Sequence, residues 1–126
     1  MENIVSWCGI ALTLLMTVYA QVIFKMRLTV AGPIPLSWRG FFSYVVILST
    51  DPWIMSGIAA VAIAAFAWLL ALSRLPLGVA YPFMSLTIVA VSLASALLLN
   101  EPIDSFYIVG LALICLGLVL IAYRLN

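Results

Sequence analysis

Four polar residues recur at intervals of four in an otherwise apolar stretch: Thr13, Thr17, Gln21 and Lys25. On a helix this spacing draws a slowly slanting stripe along one face. Lys25 supplies the cation that an anionic group such as a phosphate needs, and Gln21 adds an amide one turn earlier. A second set lies in "LPLGVAYPFMSL", residues 75–86, where Tyr81 and Ser85 are followed by Ser92 and Ser95 at three-and-four spacing. Within it Pro82 removes a backbone donor and Gly78 permits close approach, so a helix can bend there around a polar site lined by Tyr81 and Ser85. For any single Ser or Thr the ordinary partner is a backbone carbonyl or a neighbouring helix. A lysine at a helix end can equally snorkel to lipid headgroups. Gln21 beside Lys25 is harder to explain by packing alone.

The elements that must carry these residues are membrane helices. Of 126 residues 67% are hydrophobic and 7% charged, and the mean hydropathy is +1.34, far from the balance of soluble domains. The charged residues divide the chain into apolar runs long enough to cross a bilayer, at 4–24, 52–73, 75–99 and 105–123. A shorter run, 38–48, follows Pro33 and Pro35 and stops at Asp51-Pro52. Its Trp38, Arg39, Phe41, Phe42 and Tyr44 predict a short interfacial helix. The expected fold is therefore all-α: a single four-helix transmembrane domain over residues 1–126, with the interfacial helix between the first and second spans, packed as a dimer.

Several function classes are disfavoured. There is no histidine, Cys8 and Cys115 both fall inside predicted spans, and no phosphate loop, catalytic triad or acidic pair with metal-ligand spacing is present. No enzyme, metal or cofactor is expected, and no nucleic-acid partner. The first span opens on Glu2 without a basic leader, so it reads as a retained span and not a cleaved signal. Lys25, Arg27 and Arg39 fall on one side of the membrane and Arg74 and Arg124 on the other, a weak bias for orientation. The nearest acids to the membrane, Glu101 and Asp104, sit at a helix boundary, where Glu101 is read as holding the turn at Pro102.

The remaining spans read as packing elements. Gly57, Ala59, Ala60, Ala62, Ala64, Ala65 and Ala67 allow close helix approach in the second. In the fourth, "GLALICLG" sets Gly110 and Gly117 seven residues apart on one face, a spacing suited to a dimer seam.

The four short spans, "LPLGVAYP" and "GLALICLG" resemble the small multidrug resistance branch of the drug/metabolite transporter superfamily, an EamA-like group. The exporters of that branch carry a glutamate eight residues before the lysine and a tryptophan three after the tyrosine; here those places hold Thr17 and Met84. The pattern is more similar to the small paired subunits of the 4-amino-4-deoxy-L-arabinose-phosphoundecaprenol flippase. Their hydroxyl residue, Gln and Lys of the first helix match Thr17, Gln21 and Lys25; their "AYP", Ser and Glu-Pro match Ala80 to Pro82, Ser85 and Glu101-Pro102.

That resemblance implies a bacterial inner-membrane flippase for a polyprenyl-phosphate-linked sugar of the undecaprenyl phosphate-amino sugar type. Lys25, Gln21, Thr17, Tyr81 and Ser85 would bind it; Gly78, Pro82, Glu101 and Pro102 would shape the path. The implied partners are the lipid-linked sugar phosphate, membrane lipid, and a second copy or a paralogous small subunit. Two alternatives stay open at this point: a small multidrug or metabolite exporter, and an accessory subunit of another transporter.

Overall fold

A computed structural model describes residues 2–125. It is all-helical, in the order α1 (Glu2–Ala31), α2 (Trp38–Ser49), α3 (Pro52–Leu72), α4 (Leu77–Met84), α5 (Leu86–Leu98) and α6 (Ser105–Leu125). Among the described residues four helical segments are long and apolar enough to cross a membrane: Ile4–Ala31, Pro52–Leu72, Leu77–Leu98 and Ser105–Arg124.

The sequence places the end of the first span at residue 24, yet α1 continues to Ala31. Residues 25–31 hold no glycine or proline, and both cations there find carboxylates, so nothing stops the helix before Gly32. That glycine has φ 81°, a left-handed conformation that costs glycine little, and it ends the helix. At 30 residues, α1 is about 45 Å long, more than the roughly 30 Å of a hydrocarbon core. Lys25 is thus carried inside a rigid helix and not at a helix end.

After α1 the chain turns back. The 38–48 run is helical as expected, capped at its start by Ser37, whose hydroxyl accepts the Gly40 N–H at 3.2 Å. The Tyr44 hydroxyl donates to the Gly32 carbonyl at 2.8 Å, tying α2 to the end of α1. Asp51 then caps α3, accepting the N–H groups of Trp53 and Ile54, with Pro52 in the first turn. The same carboxylate receives Arg27 of α1, with Nε 2.7 Å from Oδ2. Burial alone would raise the Asp51 pKa; the Arg27 hydrogen bond, the two backbone N–H groups and the Arg27 charge outweigh it and hold the pKa below the ordinary value.

The tightest packing is between α1 and α3. On α3 the buried face is Ile54, Gly57, Ala60, Ala64, Ala67 and Ala71, a three-and-four alternation of mostly small residues. Opposite it α1 buries Ser6, Gly9, Ile10, Thr13 and Ala20. A Cβ built on Gly57 would run into the Phe24 ring. Thr13 donates to its own helix at the Gly9 carbonyl (2.8 Å) and reaches the Ala64 carbonyl at 3.3 Å. A small core of Ile10, Ala71 and Ala80 with Trp68, Leu72, Leu75 and Phe83 joins α1, α3 and the start of α4. Trp7 meets Phe83 edge-on with centroids 4.8 Å apart.

The bend expected near Pro82 is a break at Ser85, which ends α4 and begins α5. Proline at 82 has no N–H to give the Gly78 carbonyl. Three residues later the Ser85 hydroxyl donates to the Pro82 carbonyl at 2.6 Å, and the Ser85 N–H does so at 3.1 Å. These tighter contacts replace one turn of the regular ladder. Only 6% of the apolar stretch of α6 is buried, against 33% of that of α3.

Candidate functional site

A stripe of period four does not stay on one face. Each step of four residues turns about 40° around the helix axis, so Thr13 and Lys25 differ by about 120°. The consequence is visible along α1: Thr13 is buried against α3, Thr17 faces a groove shared with α3 and α4, and Gln21 and Lys25 face α5.

The groove at Thr17 also contains Thr13, Val61, Ala64, Ala65, Trp68, Tyr81 and Met84, and encloses about 350 Å³. It is lined mainly by carbon. Tyr81 is 60% exposed and stands edge-on to Trp68 with centroids 5.3 Å apart. Thr17 and Tyr81 therefore share one site, while Ser85 is not part of that groove's lining and its hydroxyl donates to the Pro82 carbonyl.

The polar cleft lies between α1, α5 and the start of α6. It encloses about 320 Å³ among Gln21, Val22, Lys25, Val91, Ser92, Ser95, Leu99, Glu101 and Tyr107. Lys25 Nζ is 3.1 Å from Glu101 Oε1. Glu101 reaches it because Asn100, two residues beyond the end of α5, adopts a left-handed φ of 54° and turns the chain back, with the Glu101 N–H on the Ser95 carbonyl at 3.3 Å. The Glu101 carboxylate is thus engaged with Lys25, in addition to its place before Pro102.

Hydroxyls supply the remaining polar groups of the lining, beside Val22, Val91 and Leu99. Ser92 Oγ donates to the Ile88 carbonyl at 2.7 Å and lies 2.8 Å from the Tyr107 hydroxyl, so the phenol is the donor of that second bond. Ser95 Oγ donates to the Ser92 carbonyl at 3.0 Å, leaving its lone pairs to accept. Tyr107 is aimed by Asp104, which caps α6 by accepting the Tyr107 N–H at 2.7 Å. A hollow of about 530 Å³, lined by Ser95, Glu101, Pro102, Ile103, Asp104 and Tyr107, shares three residues with the cleft. Another, about 230 Å³, holds Gln21, Ser92, Tyr107 and Thr87. The Thr87 hydroxyl is buried without a hydrogen-bond partner among the described residues.

Of the predicted site residues the fold brings Gln21 and Lys25 together, and Thr17 with Tyr81, in separate places. The Ser92–Ser95 pair was legible in the hydroxyl spacing of the third span. Tyr107, Thr87 and the Lys25–Glu101 pairing were not, although Tyr107 falls one turn after Asp104 as a cap-directed residue. Gly78, Gly110 and Gly117 have nothing among the described residues within 4 Å of a built Cβ. Among the described residues nothing approaches Gly78 closely; the tightest glycines are Gly57, against the Phe24 ring, Gly40, against Ser37 and Pro35, and, between α1 and α3, Gly9.

Apolar spans around a cleft of hydroxyl, amide and paired charge define a multi-pass membrane protein whose polar chemistry lies between its helices. The chain belongs to the EamA-like transporter family, whose model matches residues 3–123; it is a multi-pass protein of the bacterial inner membrane and not an enzyme. It is similar to a probable 4-amino-4-deoxy-L-arabinose-phosphoundecaprenol flippase subunit ArnE of Pseudomonas savastanoi pv. phaseolicola, 30% identical over 112 residues, covering 89% of this chain and 92% of that one. A subunit of the same description from Escherichia coli O81 is 32% identical over 110 residues, covering 82% and 96%. One from Pseudomonas syringae pv. syringae is 36% identical over 80 residues, covering 64% and 72%. No solved structure matches the chain at a significant level.

Proposed function

We propose that the chain is a subunit of a flippase that carries a polyprenyl-phosphate-linked amino sugar across the bacterial inner membrane. The observation that carries this reading is Lys25 in a hydroxyl-lined cleft between spans that are otherwise apolar, together with relatives described as flippase subunits for such a lipid. Lys25 and Gln21 receive the phosphate; Ser92, Ser95, Tyr107 and Thr87 serve the sugar hydroxyls. The apolar groove at Thr17 and Tyr81 accepts the first part of the polyprenyl chain, and the rest of the tail remains in lipid. Ser85, Pro82 and Gly78 form the flexible joint of the third span, and Pro102 limits the freedom of the loop that holds Glu101.

The chain works as one four-span domain in a dimer, with a second copy or a paralogous small subunit. Support comes from α6, whose apolar surface is left largely uncovered, with Gly110 and Gly117 open to a close neighbour. The α2 helix lies in the headgroup region, its Trp38, Phe41 and Phe42 exposed and Arg39 beside them.

The test is flipping of an undecaprenyl-phosphate amino sugar in proteoliposomes. Lys25→Ala and Gln21→Ala should each reduce the rate at least tenfold while insertion and association persist. Near wild-type flipping by both variants would remove the phosphate site from the proposal.

A further inference from the structure

We propose that Glu101 selects headgroups that carry an amine, by exchanging Lys25 for that amine when a phosphate enters the cleft. The inference rests on the reading of the cleft as a site for polyprenyl-phosphate sugars.

The argument is one of charge balance. Lys25 and Glu101 are the two charged residues of the cleft lining, 3.1 Å apart, with side chains 58% and 41% exposed. Their charges cancel. A phosphate drawn to Lys25 has to displace the carboxylate, because two anions sharing one ammonium within a few ångströms repel each other. The displaced Glu101 is then left without a cation at the edge of an apolar bilayer, where an uncompensated charge is unfavourable.

A headgroup bearing both a phosphate and an ammonium resolves both demands. The internal pair is replaced by two external pairs, and the site is neutral before and after loading. Which partner moves is set by the fold: Lys25 stands on α1, a continuous helix of 30 residues, whereas Glu101 is on the short connection between α5 and α6, just after the left-handed Asn100. As Glu101 swings away from Lys25, a sugar ring fits between the two charges, within reach of Ser92, Ser95 and Tyr107. A phosphate joined to a neutral sugar gains Lys25 but strands Glu101, so it is disfavoured by the same site.

The experiment uses the protein in its active assembly in proteoliposomes and three undecaprenyl-phosphate lipids: a 4-amino-4-deoxypentose, the same sugar N-acetylated, and the pentose with a 4-hydroxyl. The wild type should flip the free amine about tenfold faster than either neutral lipid, the order expected for one added charge pair in a partly exposed site. Glu101→Gln should bring that ratio close to one, and Glu101→Asp should recover most of it. Equal rates for all three lipids in the wild type, or a tenfold preference retained by Glu101→Gln, overturns the role of Glu101. The lipid comparison needs no altered protein and stays decisive if Glu101→Gln does not fold. If the wild type flips none of the three, the flippase reading itself fails, an outcome distinct from equal flipping of all.

Discussion

Gly9 of α1 lies so close to Ala67 of α3 that a Cβ on the glycine would stand 2.9 Å from the Ala67 carbonyl oxygen and 3.2 Å from the Ala71 Cβ. Both obstacles are backbone or the first side-chain atom, neither of which can rotate away. The α1–α3 pair is the most extensive helix contact in the chain, and it orients the face of α1 that presents Gln21 and Lys25 to α5. Gly9→Ala should therefore force the helices apart and destabilise the fold by about 1–3 kcal/mol, despite the better helix propensity of alanine. Thermal unfolding in detergent measures the loss. Unchanged stability would mean that the two helices approach less closely than described.

Asp51 gives a pH dependence of defined sign. Its pKa is lowered in the folded state, so folding favours the ionised carboxylate. The stabilisation is fully present above the unfolded-state carboxylate pKa of about 4 and is lost as pH falls through the lower folded-state value. Asp51→Asn keeps a good helix cap but no charge for Arg27. Unfolding curves across the acidic range should show a smaller loss of stability on acidification in the variant than in the wild type. Parallel curves would remove the Arg27–Asp51 pair from the account.

Tyr107→Phe isolates one hydroxyl of the cleft. It removes the donor to Ser92 and leaves the α6 cap at Asp104 in place. Stability should fall by about 1 kcal/mol, and flipping of the amino-sugar lipid should fall several-fold through a weaker apparent affinity. A loss of stability with unaltered transport would make the phenol a helix tie and not a ligand.

Gly117→Leu tests the face of α6. No described residue lies within 4 Å of a built Cβ at this position, so the substitution should leave the fold of one chain intact while weakening association with a second. Cross-linking in native membranes and the oligomeric mass in detergent are the readouts. Undiminished association would move the seam away from Gly110 and Gly117.

The sequence by itself determined the class and the span count. An uncharged run of about 20 residues has one common solution in a bilayer, a helix that satisfies its own backbone; all four runs became such segments. It also determined the joint at Pro82, since a residue without an N–H interrupts the ladder in any setting, and the helix at 38–48. Tertiary structure decided which polar residues meet. Thr17 and Lys25 share a stripe in one dimension, but helical pitch turns them toward different neighbours, so one joined Tyr81 and the other Glu101. The Lys25–Glu101 pair depends on α1 packing beside α5 and on the left-handed turn at Asn100. Neither is encoded in local periodicity: a period reports the face a residue occupies on its own helix, and only packing chooses what that face meets.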